Sequence, residues 1–231
     1  MALADDLKDW VKATFEGTWE VQEADNVPNP EQLRLNTNHA KDLDAAVVLY
    51  ADLDGSTDMV DGYRWWFSAE VYKTFLKCAS DIIRDEGGAI TSYDGDRVMA
   101  IFTGGSKNTT AARTALKINY AVSQIIQPAL EAKYSKTEFK LKHVVGIDNS
   151  QLRAARIGVK GDNDLVWIGR AANYAAKLTG LSGKNTYITE TVYNQLRAEL
   201  KESNGSPMWV KEWWADKQMW IYSSTWWWRV D

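Results

Sequence analysis

The stretch VVLYADLDGST, Val47 to Thr57, runs apolar strand formers into two acids, Asp52 and Asp54, and then into Gly55, Ser56 and Thr57. Residues two apart on a strand face the same side, so Tyr50 and Asp52 project together. Asp52 stands where the strand gives way to a loop and a helix start, and backbone N–H groups at such a place favour phosphate. A second acid comes from SYDGDRVMAIF, in which Asp94-Gly95 reads as a hairpin turn with Asp96 immediately after it. If the first strand lies beside that hairpin, Asp52 and Asp96 meet at adjacent strand ends. Two carboxylates with a backbone carbonyl between them suit Mg²⁺ or Mn²⁺, which share oxygen ligands with substrate phosphates. Two such ions ~3.5–4 Å apart can clamp both the attacking and the leaving oxygens of a displacement. An Asp next to a turn glycine is by itself usually structural, so the combination carries the chemistry.

The elements that must position these acids follow from periodicity. AAVVLYADL reads as a buried strand. Ala69, Tyr72, Leu76, Ala79 and Ile83 fall on one face of a helix that Gly87-Gly88 ends. AITSYDGDRVMAIF gives two strands. TTAARTALKINYAVSQII gives a second helix with Ala111, Ala115, Ile118, Val122 and Ile125 inward, bent or closed at Pro128. In EFKLKHVVGID, Phe139, Leu141, His143, Val145 and Ile147 share one strand face, which makes His143 a satisfied core histidine. QLRAARIGV and DLVWIG are further strands, RAANYAAKLTGLSG is a short helix, and TYITETVYNQLRAEL is a strand and a helix capped by Thr189. The order is β-α-β-β-α-β with additions, the ferredoxin-like arrangement of an α+β sandwich. Fold alone does not give function.

Residues 1–43 read as an N-terminal extension, with a short helix in ALADDLKDWVKATFEG and an irregular DNVPNPEQL. This zone is expected to pack on the main domain or on a second subunit, and residues 44–231 form that domain. Seven of the twelve tryptophans lie after residue 200, and they predict a C-terminal β-hairpin whose rings cover a sheet or a partner. The single cysteine, Cys78, permits no intrachain disulfide and fits a buried apolar position. A net charge of −4 gives no sign of polyanion binding, and no apolar run approaches a membrane span. The chain reads as soluble and cytoplasmic.

With these motifs in order, the sequence resembles the class III nucleotidyl cyclases over roughly residues 43–225. VVLYADLDGST looks like their first metal motif and SYDGDRVMAIF like the second. WIGRAANYAAKLTG looks like a third, carrying Gly169, Asn173 and Ala175 but Lys177 where Arg is usual, and GIDNS stands where G-[IV]-H-T-G is usual. The resemblance implies attack of a ribose 3′-oxygen on the α-phosphorus of a nucleoside triphosphate, with loss of pyrophosphate. It implies that Asp52, Asp96 and the Leu53 carbonyl hold two divalent ions, that Gly55, Ser56 and Thr57 receive phosphate, and that Asn173 orients the ribose. Lys177 would touch the reacting phosphate, with Arg170 a further candidate on the same helix face. It also implies a homodimer in which the acids of one subunit meet the Asn173–Lys177 helix of the other, giving two composite sites by symmetry. The family places a phosphate-binding lysine on a late hairpin; Lys211 and Lys217 are candidates for it, and Lys160 is a third basic possibility.

The base-reading positions depart from the purine codes. Ser92 and Val166, with Trp167 beside it, replace the Lys/Asp pair of adenylate cyclases and the Glu/Cys pair of guanylate cyclases. Bulk from Tyr50 and Trp167 with the short Ser92 suits a smaller base, and Arg97 offers a donor to a carbonyl-rich one such as uracil. The chain is thus similar to the stand-alone pyrimidine cyclases of bacterial antiphage Pycsar systems, whose cyclic product activates a separate effector. UTP is favoured over CTP. A purine cyclase with an unusual pocket and a silent nucleotide-binding scaffold are the alternatives.

Overall fold

The computed structural model describes residues 2–230. Along the chain come α1 (Leu3–Glu16), β1 (Glu20–Glu23), β2 (His39–Asp42), β3 (Ala46–Asp54), α2 (Ser56–Gly62), α3 (Trp65–Asp85), β4 (Ala89–Asp94), β5 (Arg97–Phe102) and α4 (Lys107–Tyr120). Then follow α5 (Gln127–Lys133), β6 (Lys142–Ser150), β7 (Arg153–Val159), β8 (Asp162–Ile168), α6 (Arg170–Leu178), β9 (Thr186–Thr189) and α7 (Glu190–Asn194). Two short strands, β10 (Glu202–Ser203) and β11 (Ser206–Pro207), precede the hairpin of β12 (Val210–Trp214) and β13 (Met219–Ser224).

A seven-stranded sheet has the order β12-β13-β9-β6-β3-β5-β4. Four consecutive strands at one end of it, β6-β3-β5-β4, with α3 and α4 as connections, are the βαββαβ unit expected from the sequence. The central strand β3 pairs antiparallel with both β5 and β6. Both its faces are covered, which is why Ala46–Leu49 reads as an unbroken apolar run: all four residues are fully buried. Val47, Leu49, Ala51 and Leu53 face the α3/α4 layer, while Val48 and Tyr50 face α6. On that second face Gly146 of β6 is obligatory. A Cβ there would lie 2.2 Å from the Ala175 carbonyl oxygen of α6, so only glycine lets the helix settle. Strands β7 and β8 leave the main sheet and join β1 and β2 in a second sheet of order β1-β2-β7-β8.

Several expectations shift in detail. The buried stripe of α3 is Phe67, Val71, Phe75, Ala79, Ile82 and Ile83, with Tyr72 and Leu76 only flanking it. The α4 stripe holds through Val122, but Ile125 is exposed and Ile126 is buried instead. Residues Ala121–Ile126 wind as a π-helix, and the extra residue in the turn moves the register by one. Pro128 sits in the first turn of α5, where its missing N–H falls on the widened segment. The hairpin turn is Gly95-Asp96, flanked by the pair Asp94 and Arg97, rather than Asp94-Gly95. Only Gly95 has a positive φ (+62°), as at the first central position of a type II′ turn. Thr189 occupies the cap position of α7, but its hydroxyl donates to Asp148 at 2.6 Å and makes no cap bond. Cys78 is half-buried, and that burial pushes its thiol pKa up.

The tryptophans divide between two features. Trp214 in the hairpin is buried against Tyr174, while Trp213 and Trp220 pack edge-to-face on an exposed side. Trp226–Trp228 lie beyond β13 as a strap along α4: Asn119 donates to the carbonyls of Thr225 and Trp226, and Trp228 N–H bonds the Leu116 carbonyl.

His143 is buried as expected, but neither ring nitrogen has a hydrogen-bond partner. Burial depresses its pKa to about 4 from 6.5. As pH falls, the unfolded chain therefore takes up this proton first, so the stability tied to His143 is full above pH 6.5 and is lost toward pH 4. The span corresponds to about 3 kcal/mol. His143→Leu is expected to flatten the fall in Tm between pH 7.5 and 4.5, measured by calorimetry beside the parent protein; parallel curves for the two would contradict the assignment.

Candidate active site

Asp52 lies near the end of β3, on the face that α6 covers. Its carboxyl has poor local support. Thr179 Oγ1, just past α6, is 3.4 Å from Asp52 Oδ2 but 2.8 Å from the Ala176 carbonyl oxygen, and its one proton serves the closer acceptor. Burial, and next the charge of Asp96, raise the Asp52 pKa to about 6, with Arg97 opposing. Asp96, in the β4–β5 turn, has a buried carboxylate oxygen, Oδ2, without a hydrogen-bond partner. A buried acceptor left unpaired is costly and asks for an explanation. A repelled carboxylate beside an orphaned one is an arrangement that a divalent cation relieves on both counts. Among the described residues no group of three or more His, Cys, Asp or Glu forms a metal cluster. The protein thus offers two carboxylates, and the other ligands must be carbonyl, water or phosphate oxygens, a set that suits Mg²⁺.

Around these acids, Gly55 takes the left-handed conformation (φ +76°) that starts α2, with Ser56 and Thr57 in its first turn. Arg97 lies 5.6 Å over the Tyr50 ring and is held by Asp94 at 2.7 Å. Ser92, on β4, pairs with Met99 just after a register shift between Ile90 and Ser92, which the sequence did not announce. On β8, Val166 pairs with Ala155 and Trp167 with Ala154, so their side chains point to opposite faces. Trp167 packs on the cluster that contains Val48 and Met99.

The α6 helix buries Ala171, Ala172, Ala175 and Leu178 and leaves Arg170, Asn173 and Lys177 exposed. The side of α6 that covers the β3 face is thus the opposite one from Asn173 and Lys177. One chain brings Asp52, Asp96, Tyr50 and Arg97 together and turns Asn173 and Lys177 outward. Arg170 is committed within its own chain to the buried Asp148, at 2.9 and 3.1 Å, and to the Asn149 carbonyl. Of the three lysines left open, Lys217 shares Asp216 with Lys177, at 2.7 and 4.0 Å. Lys211 pairs with Glu190 at 2.9 Å, and Lys160 sits in the β7–β8 turn.

Three residues escaped the sequence reading: Thr179, Asp148 and Asp216. The one with a visible signal is Asp148, an acid where the resembled family has histidine. Its partners Arg170 and Thr189 lie 22 and 41 residues away.

Sheet order, paired acids and outward-facing α6 together define a class III nucleotidyl cyclase catalytic unit. The adenylyl cyclase CyaB from P. aeruginosa superposes with a TM-score of 0.63 at 19% identity, over 83% of this chain and 96% of that one. No family model matches the sequence. A uridylate cyclase of Burkholderia cepacia is 71% identical over the whole of both chains, and one of Xanthomonas perforans is 53% identical, again over both in full. The chain belongs to the uridylate cyclase family and is a nucleotidyl cyclase. No helix among the described residues is long and apolar enough to cross a membrane.

Proposed function

We propose that this chain converts UTP to 3′,5′-cyclic UMP and pyrophosphate in the cytoplasm, using two divalent ions. The observation that carries the reading is the Tyr50–Arg97 pair standing beside the two acids. Arg97 can only donate hydrogen bonds, so it matches the carbonyl edge of uracil better than the amino edge of cytosine. Asp52, Asp96 and the Leu53 carbonyl are the ligands this chain provides. Mg²⁺ or Mn²⁺, when bound there, supplies a lowered pKa at the ribose 3′-OH and neutralises phosphate charge. Gly55, Ser56 and Thr57 receive phosphate oxygens, and Ser92, Val166 and Trp167 bound the base pocket.

Asn173 orients the ribose, while Lys177, assisted by Lys217, contacts phosphates, and Arg170, held by Asp148, anchors the start of their helix. Because the outward side of α6 carries Asn173 and Lys177, these groups act on the acids of a second copy in a homodimer. Residues 44–231 are the catalytic unit and residues 1–43 its extension. The cyclic product is a messenger read by a separate effector in antiphage defence, a role that rests on the family resemblance.

The test is incubation of the protein with Mn²⁺ and each of the four ribonucleoside triphosphates, with products identified by mass. Cyclic UMP is expected to dominate. Cyclic AMP as the main product would discard the base assignment and leave the fold argument standing; cyclic CMP would discard the role given to Arg97.

A further inference from the structure

Asp148 lies on β6 directly across from Val48 of β3, on the sheet face that α6 covers, and is 0% exposed. A carboxylate in that apolar layer is costly unless it is paired. Its partner is Arg170, the first residue of α6. Arg170 Nε donates to Oδ2 at 2.9 Å and Nη2 to Oδ1 at 3.1 Å, the two-pronged grip of a guanidinium on a carboxylate. The same Nη2 reaches the Asn149 carbonyl at 2.8 Å, and Thr189 on β9 donates to Oδ1 at 2.6 Å. Beside this pair, Ser150 Oγ accepts the Ala171 N–H at 2.9 Å.

An arginine in the first turn of a helix stands at the unfavourable end of the macrodipole. Stability alone does not ask for it, because an apolar pair in place of a buried ion pair is often neutral or stabilising. What the ion pair supplies is direction. Three of the four buried residues of α6 are alanines, Ala171, Ala172 and Ala175, and so shallow a surface resists rotation about the helix axis only weakly. The planar fork of Arg170 fixes that rotation. Its guanidinium also lies 5.4 Å over the ring of Tyr174, which meets the buried Trp214 of the C-terminal hairpin edge-on. Lys177 follows Arg170 by seven residues, almost two full turns, so the two share one side of α6 about 10 Å apart along its axis, with Asn173 between them. A rotation at Arg170 therefore passes directly to Asn173 and Lys177.

We propose that Asp148 is a positioning residue for the cyclisation: through Arg170 it sets the rotation of α6, and so the aim of Asn173 and Lys177. The inference rests on the roles proposed above for those two residues. Asp148 touches no reacting atom, and its effect is carried entirely by the helix.

The test begins with Asp148→Asn in the full chain, which keeps the side-chain shape and the Thr189 bond and leaves the partly exposed Arg170 free to turn into water. Turnover is expected to fall by about tenfold to a hundredfold, the cost of a small misplacement of the groups that hold the substrate. Both kcat and kcat/KM should fall together, as when an interaction made in the transition state is lost. Parental turnover would overturn the proposal. Asp148→Asn with Arg170→Met removes both charges and is expected to restore the parent Tm but not the turnover. Turnover recovered along with Tm would make the ion pair a support of the fold alone. Subunit mixing adds a readout that general destabilisation would not move. With Asp52→Ala subunits, Asp148→Asn subunits should recover activity toward about one quarter of the parent's, since one mixed site keeps both its acids and its α6. With Lys177→Ala subunits they should recover nothing beyond the mean of the two variants. Recovery in that second mixture would place the fault outside α6 and overturn the proposal. The composite site is checked separately by mixing Asp52→Ala with Lys177→Ala. If those two fail to complement, the composite site falls, and the separation of turnover from Tm in the double variant decides the role of Asp148.

Discussion

Replacing Asp52 or Asp96 by alanine is expected to lower cyclic nucleotide formation by at least about 10³-fold, because electrostatic stabilisation of the phosphate charge is the largest catalytic contribution such a site makes. The loss should appear in turnover with each of the four nucleotides. It should not come from unfolding. The folded pKa of Asp52 is raised to about 6, so in the metal-free protein its ionisation opposes folding as pH rises through that value. At pH 7.5 the Asp52→Ala protein should therefore melt no lower than the parent in the presence of chelator. Divalent ions should raise the Tm of the parent and not of the variant, by mass action on the folded state. Near-parental turnover in either variant would remove these two side chains from the mechanism, while a large drop in Tm in chelator would mean that they hold the fold.

The second large effect concerns subunits. Asp52→Ala and Lys177→Ala proteins should each be nearly inactive alone, and mixing them in equal amounts should restore activity to as much as about one quarter of the parent's. Random exchange places half of all subunits in mixed dimers, and each mixed dimer has one undamaged site of two. The geometry motivating this is the opposition on α6: Ala171, Ala172, Ala175 and Leu178 are buried against their own sheet, while Asn173 and Lys177 face away. An inactive mixture, with exchange verified by mass, would mean that the acids and Lys177 work within one chain.

Much of this was legible in the sequence because it is local. Val47–Leu53 announced a buried strand, and its two-residue period fixed that Tyr50 and Asp52 share a side. The slip at the hairpin arose because Asp94-Gly95 and Gly95-Asp96 both read as turns, and strand register, a long-range property, chose the second. Ile125 failed because a π-turn inserts one residue into the helical count. The pairing of Asp148 with Thr189 and Arg170, which took Thr189 from its cap, links three separate elements. Nothing local to any of them specifies the others. The exposure of α1, none of whose residues is buried, was likewise invisible, because an amphipathic pattern states that a face will be covered without saying by what.

The strap at Trp226–Trp228 bears on the order in which the molecule assembles. Asn119 and Thr225 are 106 residues apart in sequence, yet share a hydrogen bond. Closing a loop of that length is entropically costly and gains nothing until α4 and the intervening strands are already in place. This closure therefore belongs late in folding, and until it happens Leu116 and its neighbours on α4 stay open to water. In hydrogen-exchange experiments the amide of Trp228 should then exchange by a partial opening well below the global unfolding free energy, while those of β3 exchange only with it.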